Sequence, residues 1–416
     1  MPSDGEIAAV PSINDSICRD NRQRFRRLFH WGPIIALFII FYVAFFALRC
    51  SIYLSPPTQS LPGCFQFTFI SFMLYRILHS YFNATFLGPG FVPLAWKPSD
   101  ANAEGKLQFC QNCKGFKPPR SHHCRSCRRC VFKMDHHCPW INTCCGHLNH
   151  GHFIWFLLSV PVGCTTSAIV LGRHVYTMWF DLPYLFVRSQ FTSLIQIFTE
   201  MFLVMFAFGL AVGVTLAVGG LGLYQLYYIQ KNQTGIESWI VAKANHWRKE
   251  AGLQPFQYPY DLGRWNNLAQ VITWSGDAVG DGVKWPLRVG CSEYDLTLEQ
   301  IHQKQRKKLC VREFRVHRAY NGRYCPCWQM GCRVALDTPY PDEPRLQAEE
   351  GAIIHVTRST RHWLYGQLEP IRRENGYFHG SDSSNDARGW IPRVCVSEVK
   401  PAGNTIDLKC NRLKID

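Results

Sequence analysis

Four long apolar runs dominate the hydropathy of this chain: Leu28–Leu48, Phe65–Leu87, Phe153–Leu171 and Met201–Ile229. Each can cross a hydrocarbon core, which takes roughly 17–25 helical residues. The second is interrupted by Arg76, His79 and Asn83. Beside three stronger spans it reads as a crossing helix that turns these side chains toward its neighbours. Lys and Arg crowd the N-terminal lead, the 91–152 insert and the stretch after Ile229, whereas the connections 49–64 and 181–197 carry only Arg49 and Arg188. This asymmetry puts both termini and the insert in the cytosol.

Past the fourth run the period changes. Residues 230–309 combine an amphipathic helix, Ser292–Leu309, with segments broken by Pro and Gly. From Val311 short β-type runs follow (Phe314–Val316, Ala352–Val356, Trp363–Tyr365 and Trp390-Ile391), separated by Gly, Asp and Pro turns. That is the pattern of a small β-barrel. The expected fold is a multi-pass α-helical membrane protein with four transmembrane helices, a cytosolic cysteine-rich domain and a C-terminal small β-barrel. Its segments are 1–27 (cytosolic lead), 28–90 (first two spans), 91–152 (cysteine-rich domain), 153–229 (last two spans), 230–309 (helical region), 310–400 (barrel) and 401–416 (tail).

Composition narrows the partners. A formal net charge of +15 suits nucleic acid, an anionic membrane face or a polyanionic small molecule, and spans of membrane length favour the last two. The 19 cysteines are odd in number, and the densest group has metal-site spacing. A reducing, cytosol-facing setting fits them better than a secreted disulfide framework. The first apolar stretch follows an Arg-rich lead without a small-residue cleavage site, so no cleavable signal peptide is expected.

Between Cys110 and Cys145 lie eight of the cysteines, four histidines and the tetrad Asp135-His136-His137-Cys138. Cys110-x2-Cys113 and Cys124-x2-Cys127 each set two thiolates at a spacing suited to a tetrahedral zinc. Two such sites need eight ligands. Cys110, Cys113, Cys124, Cys127, Cys130, Cys138, Cys144, Cys145, His122, His123, His136 and His137 offer more, so some thiols must be left over. In an extended tetrad His136 and Cys138 share one face while His137 points to the other. A histidine beside the thiol, with Asp135 to orient it, would raise the thiolate fraction.

Cys110-x2-Cys113, His123-Cys124-x2-Cys127, Cys130, Asp135-His136-His137-Cys138, Cys144 and Asn149-x3-Phe153 together resemble the cysteine-rich domain of the DHHC protein S-acyltransferases (palmitoyltransferases). The resemblance implies one structural zinc on Cys110, Cys113, His123 and Cys130, and a second on Cys124, Cys127, His137 and Cys144. It makes Cys138 the acyl-accepting nucleophile, activated by His136 and Asp135, and leaves Cys145 and His122 for packing or solvent. Where the family usually has Asp-Pro-Gly, the chain has Gly88-Pro89-Gly90. Where it usually has Thr-Thr-x-Glu, the chain has Thr234-Gly235-Ile236-Glu237. Tyr260-Asp261-Leu262-Gly263 with Asn267 is similar to the C-terminal motif whose Asn supports the active-site fold.

The implied reaction is ping-pong: acyl-CoA (palmitoyl-CoA) acylates Cys138, and the acyl group then passes to a cysteine of a protein substrate. Each buried CH2 is worth roughly 0.8 kcal/mol, so the chain belongs in a bilayer-embedded pocket. Between Gly105 and Met134 eight Lys/Arg and no acid occur. Among them Lys117, Arg125, Arg128, Arg129 and Lys133 are candidates to meet the CoA phosphates, and the stretch also suits anionic membrane lipids. A non-catalytic zinc-folded membrane adaptor is the competing reading, but it has no need of Asp135-His136 beside a surplus thiol. Nucleic acid is excluded as a partner by the closeness of the island to the Phe153 span.

Val316–Tyr320, Leu346–Gly351, Trp363 and Gly389–Val394 resemble a divergent SH3 barrel. Its usual acidic first loop is replaced by Cys325, Cys327 and Cys332, either packing residues or acyl acceptors. That argues against PxxP ligands and for a partner-docking or stabilising barrel. A four-span acyltransferase with such a tail is similar to the endoplasmic-reticulum type of the family, and Arg412 and Lys414 faintly echo a retrieval signal.

Overall fold

The apolar runs fold as four helices: α1 (Trp31–Leu54), α2 (Leu61–Leu87), α3 (His150–Arg188) and α4 (Leu194–Ile229). All four contain a stretch long and apolar enough to cross a membrane. The computed structural model describes residues 25–188, 194–309, 311–323, 330–339, 343–369 and 388–399. It divides into two compact units, ending and starting at Gln300 and Ile301.

Helix boundaries move outward from the apolar runs for a simple reason. A helix need not stop where hydrocarbon stops, so His150 and His152 extend α3, and Thr199 and Glu200 extend α4. At the other end α1 starts late: residues Arg27–Phe29 form a 3-10 turn, and the His30 side chain caps Gly32 N. Small residues hold the bundle close, with Ala47, Ala207 and Ala211 fully buried among Val43, Phe46, Leu171 and Val204. Of the three polar residues in α2, Arg76 turns toward a neighbour, its guanidinium 5.2 Å from the Trp155 ring centroid of α3, whereas His79 is exposed and lies 3.1 Å from Asn83 of its own helix.

Between α2 and α3 the chain makes three short hairpins: β1/β2 (Gln108–Cys110, Gly115–Lys117), β3/β4 (His122–Cys124, Arg129–Val131) and β5/β6 (His136–Cys138, Thr143–Cys145). Lys114 and Arg128, each just after a C-x2-C pair, take positive φ of 54°, the sharp turn that brings both thiols to one side.

After α4 come α5 (Gly235–Glu250), α6 (Arg264–Ala269) and α7 (Asp295–Leu309), the last within the expected Ser292–Leu309. Thr234 and Glu237 form a reciprocal capping box that starts α5. This region is tied to the hairpins by a buried ion pair. Arg120 Nε and Nη2 donate to Glu237 Oε1 and Oε2 at 2.7 and 2.8 Å, and Arg120 lies over the rings of Tyr260 and Trp285.

The second unit is built on a five-stranded antiparallel sheet of order β10-β9-β8-β7-β11. Its strands are β7 (Arg312–Val316), β8 (Ile353–Ser359), β9 (Trp363–Leu368), β10 (Arg388–Pro392) and β11 (Val396–Glu398). Trp363 is wholly buried in its core, donating Nε1 to Val334 O of helix α8 (Cys332–Leu336). Cys332 is exposed; Cys325, Cys327 and the tail 401–416 lie outside the described residues.

Candidate active site

Each hairpin is stapled to the next by a cluster of soft donors. Cys110, Cys113, His123 and Cys130 form one cluster; Cys124, Cys127, His137 and Cys144 form the other. In both, the donor atoms lie within 4.8 Å of one another and could hold a metal ion. The register explains the pairing, since His123 stands opposite Cys130 and His137 opposite Cys144. His123 Nδ1 is 3.5, 3.4 and 3.8 Å from the sulfurs of Cys110, Cys113 and Cys130. His137 Nδ1 is 3.7, 3.4 and 3.6 Å from those of Cys124, Cys127 and Cys144. Ligands at ordinary zinc distances around a tetrahedron stand about 3.6 Å apart. Donor type, number and spacing all fit.

Cys138 belongs to neither cluster. Alternation along β5 sends His137 to the metal side, and leaves His136 and Cys138 on the other face beside Cys145. Here Asp135 is the hub. Its Oδ2 lies 2.6 Å from His136 Nδ1 and accepts from Gln225 Nε2 at 3.0 Å, and its Oδ1 accepts from Gly235 N at 2.6 Å. One carboxylate thus joins the tetrad, the end of α4 and the first turn of α5. Burial alone would raise its pKa, but His136 and Gly235 N overcome this and hold it well below the usual carboxylate range.

The same balance sets the pair beside it. Burial disfavours a charged His136, yet Asp135 and the Cys138 sulfur outweigh it and push the imidazole up to about 9. The Cys138 thiol is brought down to about 5: Cys145 hydrogen-bonds its sulfur, burial opposes, and His136 and Trp140 N–H favour the thiolate. Near neutral pH the site therefore holds a thiolate facing an imidazolium.

Cys138 also opens onto a cavity of about 490 Å³ lined by all four spans. Its walls are apolar: Ile40, Ile77, Ile141, Phe153, Leu157 and Val214 are among them. The hairpin turn carrying Pro139 and Trp140 is clamped at the mouth. Tyr81 Oη of α2 donates to Trp140 O at 2.9 Å, and a Cβ on Gly32 of α1 would stand 2.1 Å from Pro139 O. Only glycine permits that approach.

Residues 103–241 match the family described as DHHC palmitoyltransferase. Over 399 residues the chain is 41% identical to palmitoyltransferase ZDHHC6 of Mus musculus, covering 93% of this chain and 95% of that one. Identity to palmitoyltransferase ZDHHC6 of Homo sapiens is 41% over 392 residues, with 91% and 93% covered. Palmitoyltransferase PFA4 of Mycosarcoma maydis is 32% identical over 260 residues, 52% of this chain and 51% of that one. The chain belongs to the DHHC palmitoyltransferases.

In this palmitoyltransferase the candidate phosphate contacts divide. Arg125 and Arg128 are exposed, and Lys117 and Arg129 half-buried, with Arg129 also donating to Val92 O at 2.9 Å. Lys133 must be withdrawn from that set. It is buried, 5.2 Å from the Trp285 ring centroid, and burial with the Arg120 charge nearby depresses its pKa to about 7. The backbone there takes a positive φ of 42°, and a tally of charge along the stretch does not register which way each side chain turns.

Gly235 is the reverse case. It departs from the usual Thr, yet what reaches Asp135 is its backbone N–H, which any residue but proline supplies. Gln225 went unnoticed, although a lone amide in the last turns of an apolar helix is a signal worth reading. Asn267 is fully buried, donating to Gln230 O and Asp261 Oδ1 and accepting from Leu262 N. Asn149 likewise donates to both Ala84 O and Cys144 O.

Proposed function

We propose that the palmitoyltransferase carries its acyl group on Cys138, taking it from a long-chain acyl-CoA and delivering it to cysteine thiols of proteins. The observation that carries this is the position of one sulfur, outside both donor clusters, between the Asp135–His136 pair and an apolar cavity among the spans.

In the first half-reaction the Cys138 thiolate attacks the thioester carbon, and the bond from that carbon to the CoA sulfur breaks. His136, holding the former Cys138 proton, gives it to the departing sulfur. Acylation removes the thiolate charge that supported the imidazolium, so His136 turns into a base. In the second half-reaction it takes the proton of the acceptor thiol. The acceptor sulfur attacks the acyl carbon, and Cys138 leaves as thiolate, again facing a protonated His136. One thioester is exchanged for another, so no energy-rich co-reactant is needed.

The two clusters would hold structural zinc ions. All four donors in each come from the protein, which leaves their role as fixing β5 beside the cavity mouth. Arg125 and Arg128, with Lys117 and Arg129, would meet the CoA phosphates. Basic flanks support a cytosolic island and cytosolic termini, and the SH3-like tail supports an endoplasmic-reticulum membrane setting. Burial of Trp363 beneath α8 favours a stabilising or protein-docking role for that unit.

The test is CoA release from palmitoyl-CoA with a cysteine-containing acceptor. Wild type should release CoA and acylate the acceptor, while Cys138→Ser keeps both zinc ions and does neither. Undiminished turnover by Cys138→Ser would overturn the assignment, as would loss of zinc from it.

A further inference from the structure

Arg76 stands eleven residues before the end of α2 at Leu87, roughly 16 Å along the axis at 1.5 Å per residue. A cation so far inside a span is costly unless it pairs or reaches the interface. Among the described residues it has no carboxylate within salt-bridge distance. Its guanidinium rests on Trp155, whose Nε1 donates to Thr273 O at 2.8 Å. That bond ties the first turns of α3 to the chain beyond α6 at the ring on which Arg76 rests.

Around it, among the described residues, stand His79, His152 and Asp277. His79, one turn further on, is exposed; its ring lies 6.4 Å from that of His152 and its Nε2 is 3.1 Å from Asn83 Nδ2. His152 Nε2 is 3.6 Å from Asp277 Oδ1, its one carboxylate partner among the described residues. The covering loop cannot shift freely. A Cβ on Gly276 would fall 2.5 Å from His152 Nδ1, one on Gly151 would fall 2.4 Å from Gly276 O, and Thr273 Oγ1 donates to Asp277 O at 2.9 Å. Trp274 and Tyr75 stand exposed at its edges, as aromatic side chains do at headgroup level.

We propose that this groove between α2 and α3 holds the phosphate of an anionic membrane phospholipid, gripped by Arg76 and His79 from one side and faced by His152 from the other. The occupant is a lipid because Arg76 lies on a membrane-length helix without a carboxylate in salt-bridge distance among the described residues, beside Tyr75 and His79, which are exposed on that same helix. The groove is separate from the basic stretch of the hairpins and does not depend on the role of Cys138. A lipid there bridges α2, α3 and the loop after α6, the helix whose Asn267 holds the end of α4. Anionic lipid thereby tightens the clamp beneath the hairpins.

The full-length enzyme in phosphatidylcholine nanodiscs, given a trace of photoreactive phosphatidylserine, tests this by peptide mapping of the crosslinks. They should concentrate on residues 72–83, 152–155 and 273–277, and unlabelled phosphatidylserine should compete where added phosphatidylcholine does not. Arg76→Gln should weaken them about tenfold, the loss of one charge-assisted contact, with crosslinks to α1 and α4 unchanged. His79→Gln, at an exposed position that does not threaten folding, should weaken them by a smaller factor. Equal labelling of the variants, or equal competition by phosphatidylcholine, would mean ordinary annular lipid and overturn the proposal. Displacement by inorganic phosphate or CoA would overturn it as well, assigning the groove to a soluble phosphate.

Discussion

Asp135 links three parts of the chain that are far apart in sequence, and its partners differ in how much they can be disturbed. Removing His136 by His136→Ala should slow Cys138 acylation by about 10²–10⁴, the usual worth of a positioned acid–base group, with zinc content unchanged. Gln225→Leu deletes one donor to the buried Asp135 carboxylate and should cost about 1.5–3 kcal/mol, read as a lowered thermal midpoint. Gly235→Thr restores the usual family residue. Its Cβ would meet Asp135 Oδ1 at 3.6 Å, an ordinary contact, so single-turnover acylation should be preserved. At this scale the sequence was most legible where side chains carry the chemistry. Cysteine and histidine spacing announced two metal sites with thiols to spare, and the resemblance to the DHHC acyltransferases told the ligands from Cys138. A backbone N–H such as that of Gly235 has no residue signature, and the inward turn of Lys133 looks like any other positive charge on paper.

Among the elements, the Arg120–Glu237 pair is the bolt between the hairpins and α5. Glu237→Gln leaves a buried guanidinium uncompensated and should destabilise this unit by about 3–5 kcal/mol. Arg120, with Tyr258 and Thr234 N–H, outweighs burial and holds the Glu237 pKa below its ordinary value of 4.5. Its stabilisation is therefore complete above pH 4.5 and is lost as pH falls through the folded-state pKa. Thermal melts of wild type and Glu237→Gln should differ by a constant amount from pH 7 to 5, then converge on further acidification. A gap that widens in acid would contradict the pairing. Thr234-Gly235-Ile236-Glu237 was legible as a variant of the family's Thr-Thr-x-Glu, and the structure makes it the capping box that starts α5. That the same carboxylate also receives Arg120 was hidden, because 117 positions separate the two. The ends of α3 and α4 were hidden for another reason: hydropathy sees where hydrocarbon stops, whereas a helix continues wherever its backbone bonds can.

Over the whole molecule, four apolar runs and a dense cysteine island were enough to place a zinc-folded module against a helical bundle, and the SH3-like pattern was enough to expect a separate β unit. What pattern could not convey is the cavity, which exists only once four helices from distant segments are packed. Gly209 and Gly213 line it with open space where a Cβ would be. Gly209→Phe should fill part of that space and shift competition between acyl-CoAs toward shorter chains, each excluded CH2 forfeiting roughly 0.8 kcal/mol. The central claim remains the division between eight structural ligands and one reactive thiol, Cys138, with Cys145 in neither role. Its most direct test is mass-spectrometric mapping of the enzyme after incubation with palmitoyl-CoA and no acceptor. A single hydroxylamine-labile palmitoyl group is expected within the hairpin module, on Cys138, with both zinc ions retained. Palmitate on Cys145 or on a cluster cysteine while Cys138 stays free would contradict it.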